Sequence, residues 1–269
     1  MPTVPQFAAL QAPPDWRTVD FISDLHLKPD EPATFDAWAH YLQNTPAQAV
    51  FMLGDLFEVW VGDDAAAPGT FEHRCAQVLR EASARTALYV MRGNRDFLIG
   101  AAFLSTCGVG DLADPTVFSF GNRRWVLTHG DLLCIDDLPY QAFRREVRAP
   151  AWQRDFLARP LCERQAVARQ MRAQSEAQQA ATSGVYACAD AELARVWLHA
   201  ANATTLIHGH THQPADHVLG RSADGHPLTQ VVLSDWHIAP DACRAQVLRL
   251  QADGHWTRLT PPMPTALAA

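Results

Sequence analysis

The sequence lacks paired cysteines, long apolar runs and an excess of positive charge, and each absence excludes a class of protein. Its six cysteines are dispersed with no C-x-x-C pair, so we expect reduced thiols in a cytosolic protein rather than a disulfide framework. No apolar run approaches the roughly 18–20 residues that a membrane-spanning helix needs. The net charge of -7 at pH 7 argues against a general nucleic-acid binder.

The remaining composition is that of a globular protein. Of 269 residues, 48% are hydrophobic and 19% are charged, which is enough apolar material for a full core and too little charge for a disordered chain. Residues 1–16 are rich in proline and alanine and have no basic region followed by an apolar stretch. They predict a flexible leader rather than a signal peptide, and residues 261–269 predict a frayed tail.

Five short apolar runs lead directly into polar clusters. The apolar runs are Val19–Ile22, Val50–Leu53, Leu88–Met91, Trp125–Leu127 and Leu206–Ile207. The polar clusters that follow them, in the same order, are Ser23–His26, Gly54–Asp55, Gly93–Asp96, Thr128–Asp131 and His208–His212. Between the first three clusters, Thr34–Leu42 and Phe71–Ser83 resemble helices. This alternation predicts an α/β layered fold with ligand-type residues at the carboxyl ends of strands, where such folds place their active sites.

The second half of the chain contains a different kind of segment. Residues 140–201 are rich in Ala, Gln and Arg, carry apolar residues at helical spacing and are interrupted by Pro150 and Pro160. They predict a helical insertion that caps the strand ends, while residues 17–139 and 202–260 form the core. Three later runs predict antiparallel strands, namely Val231–Leu233, Ala245–Leu250 and Trp256–Leu259.

Side chains that bind metals are concentrated in the polar clusters. Asp24 and His26 are two residues apart at a strand end, so extended geometry points them to the same side. Gly54 lets the backbone approach closely, and Asp55 can then bridge two cations roughly 3.5–4 Å apart. One amide and several imidazoles complete a donor set that favours a transition metal over Mg²⁺ or Ca²⁺. The predicted metal ligands are Asp24, His26, Asp55, Asn94, His129, His210 and His212.

The order of these clusters resembles that of the calcineurin-like metallophosphoesterases. The matching motifs, within about residues 19–212, are Asp24 with His26, Gly54–Asp55, Gly93–Asp96, His129–Asp131 and Gly209–His212. The resemblance implies a four-layer α/β/β/α sandwich and a dinuclear site, usually occupied by Mn²⁺. It implies two ligand sets that share one aspartate: Asp24, His26, Asp55 and His212, and Asp55, Asn94, His129 and His210. His208 lies outside this pattern, which suggests a supporting role or a substrate contact.

The resemblance also suggests the reaction and its catalytic residues. A water activated by two metal ions attacks phosphorus without a covalent enzyme intermediate. Asn94, Arg95 and His129 are the expected catalytic residues. The planar guanidinium of Arg95 either binds a phosphate oxygen or pairs with Asp96 at the surface. Family members often carry a histidine general acid where this chain has Arg95, so the arginine indicates a phosphate leaving group, which needs less protonation than an alkoxide.

The residues that flank the ligands resemble one branch of this family, the UDP-2,3-diacylglucosamine pyrophosphatases of lipid A biosynthesis. The matching segments are Ser23–Leu27, Leu53–Glu58, Trp60–Asp64, Gly93–Phe97 and His129–Asp137. The resemblance implies hydrolysis at the α-phosphate, which releases UMP and 2,3-diacylglucosamine 1-phosphate. It further implies that the insertion covers the glucosamine and acyl chains. The implied substrate contacts are Asn94, Arg95, Asp137, Tyr140, Ser175, Gln179, Thr182 and His210.

The match weakens inside the insertion. Where the family usually has an asparagine and then a lysine after Ser175, this sequence has Gln179 and Thr182. Gln179 can replace an amide but Thr182 supplies no cation, so either a nearby arginine such as Arg172 compensates or the head-group contacts differ. Residues 140–176 contain eight arginines against four acidic residues. This excess suits either a solvated helix face or contact with anionic lipid at the inner membrane.

Two other functions fit the motifs less well. A phosphoesterase of the same fold would act on another nucleotide diphosphate or phosphodiester, but Arg95, the acidic pair Asp136–Asp137 and the long insertion favour a large diphosphate lipid. A scaffold that has lost its metals would show gaps among the ligands, and no ligand is missing. The sequence therefore predicts a cytoplasmic enzyme at the surface of the inner membrane, and it assigns no role to Asp235 or Trp236.

Overall fold

Two six-stranded sheets lie at the centre of the computed structural model, which describes residues 4–181, 189–239 and 242–264. The strands are β1 (Ala8–Gln11), β2 (Thr18–Ile22), β3 (Ala49–Leu53), β4 (Ala87–Met91), β5 (Gly110–Leu112), β6 (Thr116–Phe120), β7 (Arg123–Leu127), β8 (Thr205–His208), β9 (Ala215–Arg221), β10 (Pro227–Val232), β11 (His237–Ala239), β12 (Ala242–Arg244), β13 (Val247–Gln251) and β14 (Trp256–Leu259). The helices are α1 (Pro32–Asn44), α2 (Phe71–Ser83), α3 (Ala101–Thr106), α4 (Leu138–Val147), α5 (Pro150–Leu157), α6 (Leu161–Ala181) and α7 (Ala191–Ala201). Sheet I has the strand order β1-β6-β7-β8-β10-β9, sheet II has the order β14-β13-β2-β3-β4-β5, and β11 pairs with β12.

The two sheets face each other across an aromatic core. Phe21 of β2 stacks on Phe51 of β3 with ring centroids 5.1 Å apart, and Phe118 of sheet I packs on Phe51 at 4.8 Å. All five residues of β3 are buried, as expected of a parallel strand that is covered on both faces. The inner strands therefore appear in the sequence as continuous apolar runs.

Helices cover the outer face of each sheet. α1 and α2 pack Trp38 and Leu79 into the cluster that contains Val50 and Met52 of sheet II. On the other side, α7 packs Trp197 into a cluster formed with strands of sheet I. The order is helix, sheet, sheet, helix, so the α/β/β/α sandwich expected from the sequence is confirmed.

The predicted elements correspond closely to the observed ones. The five apolar runs form β2, β3, β4, β7 and β8, and the two helical stretches form α1 and α2. β13 and β14 are antiparallel, as predicted. β10 is antiparallel to β9 but parallel to β8, so the antiparallel prediction is wrong for one of its two neighbours. The reason is that β10 inserts between β8 and β9 rather than extending the sheet at its edge.

Two boundaries differ from those predicted. Part of the expected flexible leader forms β1, which pairs in parallel with β6 and is followed by the buried Ala12. α7 was expected in the insertion, but it covers sheet I and belongs to the core. Helical spacing identifies an apolar face without identifying the surface on which that face packs.

We refer to α4, α5 and α6 together as the cap, after the insertion predicted from the sequence. Trp152 and Phe156 of α5 stack at 4.8 Å, and Trp152 also packs on Phe97 in the loop after β4. Arg164 of α6 is only 3% exposed, and its guanidinium binds Asp64 and the carbonyl of Val61. These contacts hold the cap against the loops that follow β3 and β4. Among the described residues, no helix is both long enough and apolar enough to cross a membrane.

Candidate metal centre

The backbone bends sharply where the polar clusters follow the strands. A left-handed conformation costs a non-glycine residue roughly 1–2 kcal/mol, and such residues concentrate at functional sites. Five predicted ligands adopt it: Asp24 (φ 54°), His26 (φ 49°), Asp55 (φ 53°), His210 (φ 68°) and His212 (φ 53°). This repeated strain indicates that their side chains are held for a purpose other than packing.

Glycine at two positions lets the loops approach closely. A Cβ atom on Gly54, where φ is 93°, would clash with the imidazole of His129, and one on Gly93 would clash with the carboxylate of Asp55. The carbonyl of Gly54 also accepts a hydrogen bond from the amide of Asp24 at 3.1 Å. The glycines of the Gly-Asp and Gly-Asn motifs are therefore required for steric reasons, and the residues that follow them supply the ligand atoms.

Four predicted ligands form the first half of the site. His26 Nε2 lies 3.3 Å from His212 Nε2 and 4.0 Å from both Asp24 Oδ1 and Asp55 Oδ2. His212 Nε2 lies 3.3 Å from Asp24 Oδ1. Two imidazole nitrogens and two carboxylate oxygens thus face one small space.

Asp55 also borders the second half of the site. Its Oδ1 lies 3.7 Å from His129 Nε2, while His129 Nε2 and His210 Nδ1 each lie 2.9 Å from Asn94 Oδ1. His129 Nδ1 donates to the carbonyl of Leu53 at 2.9 Å, which directs Nε2 into the site. The structure therefore brings all seven predicted ligands together in two sets that share Asp55.

This donor set fits a pair of transition-metal ions. Asp24 Oδ1 is buried, and its polar neighbours are the imidazole nitrogens of His212 at 3.3 Å and His26 at 4.0 Å, so a carboxylate and two imidazoles converge where a cation would satisfy the buried charge. Asp24, His26 and His212 place ligand atoms within 4.8 Å of one another, and so do Asp24, Asp55 and His129. Mixed imidazole and carboxylate donors suit Mn²⁺, Fe²⁺ and Zn²⁺.

The electrostatics of the site favour positive charge. Burial raises the pKa of Asp24, but the hydrogen bond and charge of His212 and the charge of His129 outweigh burial, and the net pKa is lowered. Burial lowers the pKa of His129, but the charges of Asp55 and Asp24 outweigh it and raise the pKa to about 9. Carboxylates that hold a proton on a buried imidazole also favour a bound cation.

His208 is separate from the ligands. It is fully buried, accepts a hydrogen bond at Nε2 from Gln230 at 2.9 Å and donates from Nδ1 to the carbonyl of Gly209 at 2.8 Å. Burial is the main reason that its pKa is lowered to about 4, so the ring is neutral. Both nitrogens are used, which makes His208 a supporting residue and excludes the substrate contact.

Arg95 lies beside the site, where its charge helps to lower the pKa of Glu58, and it does not pair with Asp96. Its amide donates to Asp55 Oδ1 at 2.8 Å, and its side-chain Nε is buried without a hydrogen-bond partner among the described residues. Asp96 instead accepts from the amides of Leu56 and Gly93 at 2.8 and 2.7 Å. The surface pair considered for Arg95 and Asp96 is therefore wrong.

The predicted substrate contacts in the cap have different positions. Asp137 is the N-cap of α4 and accepts from the amide of Tyr140 at 3.0 Å. The hydroxyl of Tyr140 binds Asp131, and its ring lies 6.0 Å from that of His210. Ser175 and Gln179 lie on α6, where their side chains are outside the described residues, and Thr182 lies outside them entirely.

Two residues of the site carried no prediction. Glu58 lies 3.0 Å from His26 Nδ1 and forms an ion pair with Arg172 of the cap. Asp131 is fully buried and binds Arg144 at 2.7 Å. Both lie inside motifs that the sequence resemblance used, but the sequence contains no signal for their partners because Arg144 and Arg172 lie on separate helices, α4 and α6.

Comparison with known proteins identifies the family. A family model described as calcineurin-like phosphoesterase matches residues 17–214. The chain belongs to the calcineurin-like phosphoesterase family. It is therefore a metal-dependent hydrolase, as predicted, of a family that uses a dinuclear metal site.

Individual relatives are similar to most of the chain. A UDP-2,3-diacylglucosamine hydrolase of Xanthomonas campestris pv. campestris (strain B100) is 42% identical over 252 residues, which cover 88% of this chain and 96% of that protein. A protein of the same name from Chromobacterium violaceum is 45% identical over 81% of this chain and 90% of its own length. A phosphoesterase of known structure from E. coli is 15% identical with a TM-score of 0.39, covering 91% of this chain and 100% of that one.

Proposed function

We propose that this phosphoesterase hydrolyses the pyrophosphate of UDP-2,3-diacylglucosamine at the α-phosphate, giving UMP and 2,3-diacylglucosamine 1-phosphate, a step of lipid A biosynthesis. The similarity to hydrolases of that name, at 42–45% identity over more than four fifths of the chain, carries the proposal. It extends through the cap, where substrate selection takes place, as well as through the metal centre.

The seven converging side chains hold two ions in this proposal, which we take to be Mn²⁺. Asp24, His26, Asp55 and His212 hold one, and Asp55, Asn94, His129 and His210 hold the other. When bound, the ions polarise the phosphate and supply an activated water. The protein fixes the donors on rigid strand ends, so the site needs little rearrangement on binding.

Arg95 acts on the substrate in this proposal. The hydrogen bond from its amide to Asp55 fixes its backbone beside the metal centre. Its guanidinium then neutralises charge on the phosphate, because the planar group can donate two parallel hydrogen bonds to phosphate oxygens. Asn94 and His129 orient the reacting phosphoryl group beside it. The leaving sugar phosphate needs little protonation, which agrees with arginine in place of a histidine acid.

A cavity of about 400 Å³ between α6 and the loop after β3 suits the acylated sugar. Val59, Trp60 and Ala168 give it an apolar lining, while Arg169 and Arg172 supply positive charge. We propose that Arg172 provides the cation that Thr182 does not. Asp137, Tyr140, Ser175, Gln179 and His210 remain the other proposed contacts. This cavity favours the lipid over a smaller nucleotide diphosphate or phosphodiester, which would leave it empty.

We propose peripheral contact of the cap with the cytoplasmic face of the inner membrane. Leu138 is 71% exposed at the start of α4 and Phe143 is 37% exposed five residues later, so α4 presents two large apolar side chains to solvent. Four of the eight cap arginines bind the core instead of facing solvent, namely Arg144, Arg148, Arg164 and Arg172. The exposed arginines Arg145, Arg154, Arg159 and Arg169 remain for anionic lipid.

The test is UMP release from UDP-2,3-diacylglucosamine by purified protein with Mn²⁺, beside a panel of simple phosphodiesters and the His129→Ala variant. We expect release that depends on Mn²⁺, prefers the lipid and is lost in the variant. Turnover of a phosphodiester without release of UMP would agree with the proposed metal centre and contradict the proposed substrate.

A further inference from the structure

Glu58 occupies a position between the metal centre and the cap. Its Oε2 lies 3.0 Å from His26 Nδ1, the nitrogen that does not face the metal centre, and its Oε1 forms an ion pair with Arg172 of α6. The Glu58 side chain is 14% exposed and that of Arg172 is 31% exposed, so both are shielded from screening by salt. One carboxylate thus contacts a proposed metal ligand and a helix of the cap.

The backbone holds Glu58 beside His26. The loops after β2 and β3 run side by side, with the amide of His26 donating to the carbonyl of Asp55 at 3.0 Å and the amide of Glu58 donating to that of Leu27 at 3.2 Å. A parallel bridge joins Leu27 to Phe57. The carboxylate therefore comes from a fixed point rather than from a mobile loop.

The same stretch of chain anchors α6. One helical side chain, Arg164, binds Asp64 and Val61 in the segment just after Glu58. Two turns further along α6, Arg172 binds Glu58 itself. A displacement of α6 would therefore change the charge around Glu58.

We propose that Glu58 is a positioning residue, which fixes His26 for its metal ion and links that ligand to the cap helix through Arg172. A carboxylate on the outer nitrogen of a metal-bound histidine fixes the tautomer and raises its basicity as a ligand. Since Arg172 binds the other oxygen of the same carboxylate, the position of α6 and the affinity for the metal are thermodynamically coupled, in both directions. The inference rests on the proposed role of His26 as a ligand.

The test is a titration with Mn²⁺ alone, followed by the EPR signal of the free ion. We expect wild type to bind two ions and Glu58→Gln, which keeps the shape but removes the charge, to weaken one of them by about 10–100-fold. Arg172→Gln changes the Mn²⁺ affinity of the same site by a smaller factor. In Glu58→Gln, Arg172→Gln has no further effect, since Arg172 acts through Glu58. The rate of UMP release by Glu58→Gln recovers as the Mn²⁺ concentration is raised, whereas a folding defect would leave the rate low.

Glu192→Gln is a matched control, because its side chain is 59% exposed and lies on α7. It should bind Mn²⁺ as wild type does. Wild-type affinity in Glu58→Gln, or full additivity in the double variant, would overturn the inference and leave the proposed function intact. If Glu58→Gln binds Mn²⁺ more weakly but the wild type releases no UMP, the proposed substrate is contradicted and the inference about Glu58 stands. Circular dichroism of the metal-free variants checks that each is folded.

Discussion

His208 and His210 are two residues apart, yet their surroundings give them different roles. Both have a pKa lowered to about 4, mainly by burial, so both are neutral. The nitrogens of His208 are both used within sheet I, by Gln230 and by the carbonyl of Gly209. His210 turns Nδ1 towards Asn94 at the metal centre. Hydrogen-bond partners, rather than protonation, thus distinguish the proposed ligand His210 from its neighbour His208.

Substitution of these two histidines should therefore have different effects. His210→Gln should weaken Mn²⁺ binding at one site by more than the roughly 10–100-fold that loss of an outer hydrogen-bond partner costs. His208→Leu should bind two ions but lose about 1–3 kcal/mol of stability, because it leaves buried polar groups unpaired. EPR titration and urea unfolding of the metal-free proteins measure the two effects. Loss of a metal in His208→Leu with none in His210→Gln would refute the assignment.

The first turn of α4 combines a helix cap with a side chain beside the site. Asp137 caps the helix by accepting from the amide of Tyr140, and the Tyr140 ring lies 6.0 Å from that of His210. Burial raises the pKa of Asp131, but Arg144, His129 and Arg148 outweigh burial and lower the net pKa, so Asp131 is a charged anchor for the helix. α4 is thereby tied to the loop that carries His129.

The capping role and the substrate role of Asp137 can be separated by two variants. Asparagine is as good an N-cap as aspartate, so Asp137→Asn should retain stability, whereas Asp137→Ala should lose about 1 kcal/mol. If Asp137 also contacts substrate, Asp137→Asn should raise KM for the lipid without changing the urea midpoint. An unchanged KM in Asp137→Asn would leave only the capping role.

The elements that the sequence predicted best are those with a strong local signal. Five buried strands were found because each is an apolar run that ends in ligand-type residues. β1 is only four residues long and alternates between partly buried and exposed positions, so its sequence pattern does not distinguish it from a loop. The apolar face of α7 was visible, but only the fold shows that Trp197 packs on sheet I. Glu58 was quoted in a motif without a role, because Arg172 is 114 residues away.

At the scale of the whole molecule, the metal centre joins the two sheets. Asp24, Asp55 and Asn94 follow strands of sheet II, whereas His129 and His210 follow strands of sheet I. Bound ions would therefore cross-link two layers that also meet through an aromatic core and through the ion pair of Arg258 with Asp216.

Metal binding should therefore stabilise the entire fold. Mn²⁺ should raise the melting temperature in a concentration-dependent manner, with about 2.7 kcal/mol per site when the ion is at 100 times its Kd. Ca²⁺ at the same concentration should have a smaller effect, because imidazole donors disfavour it. Differential scanning fluorimetry after chelator treatment measures both shifts. Equal shifts for the two ions, or none in either, would disagree with the proposed site, and Asp24→Asn should reduce the Mn²⁺ shift.

The central claim is that water attacks the α-phosphorus of a nucleotide-linked lipid at this metal centre, and isotope transfer tests it most directly. Hydrolysis of UDP-2,3-diacylglucosamine in water enriched in ¹⁸O, with Mn²⁺, is followed by mass spectrometry of both products. We predict one labelled oxygen in UMP and none in 2,3-diacylglucosamine 1-phosphate. Label in the sugar phosphate would contradict the claim, because water would then have attacked the other phosphorus.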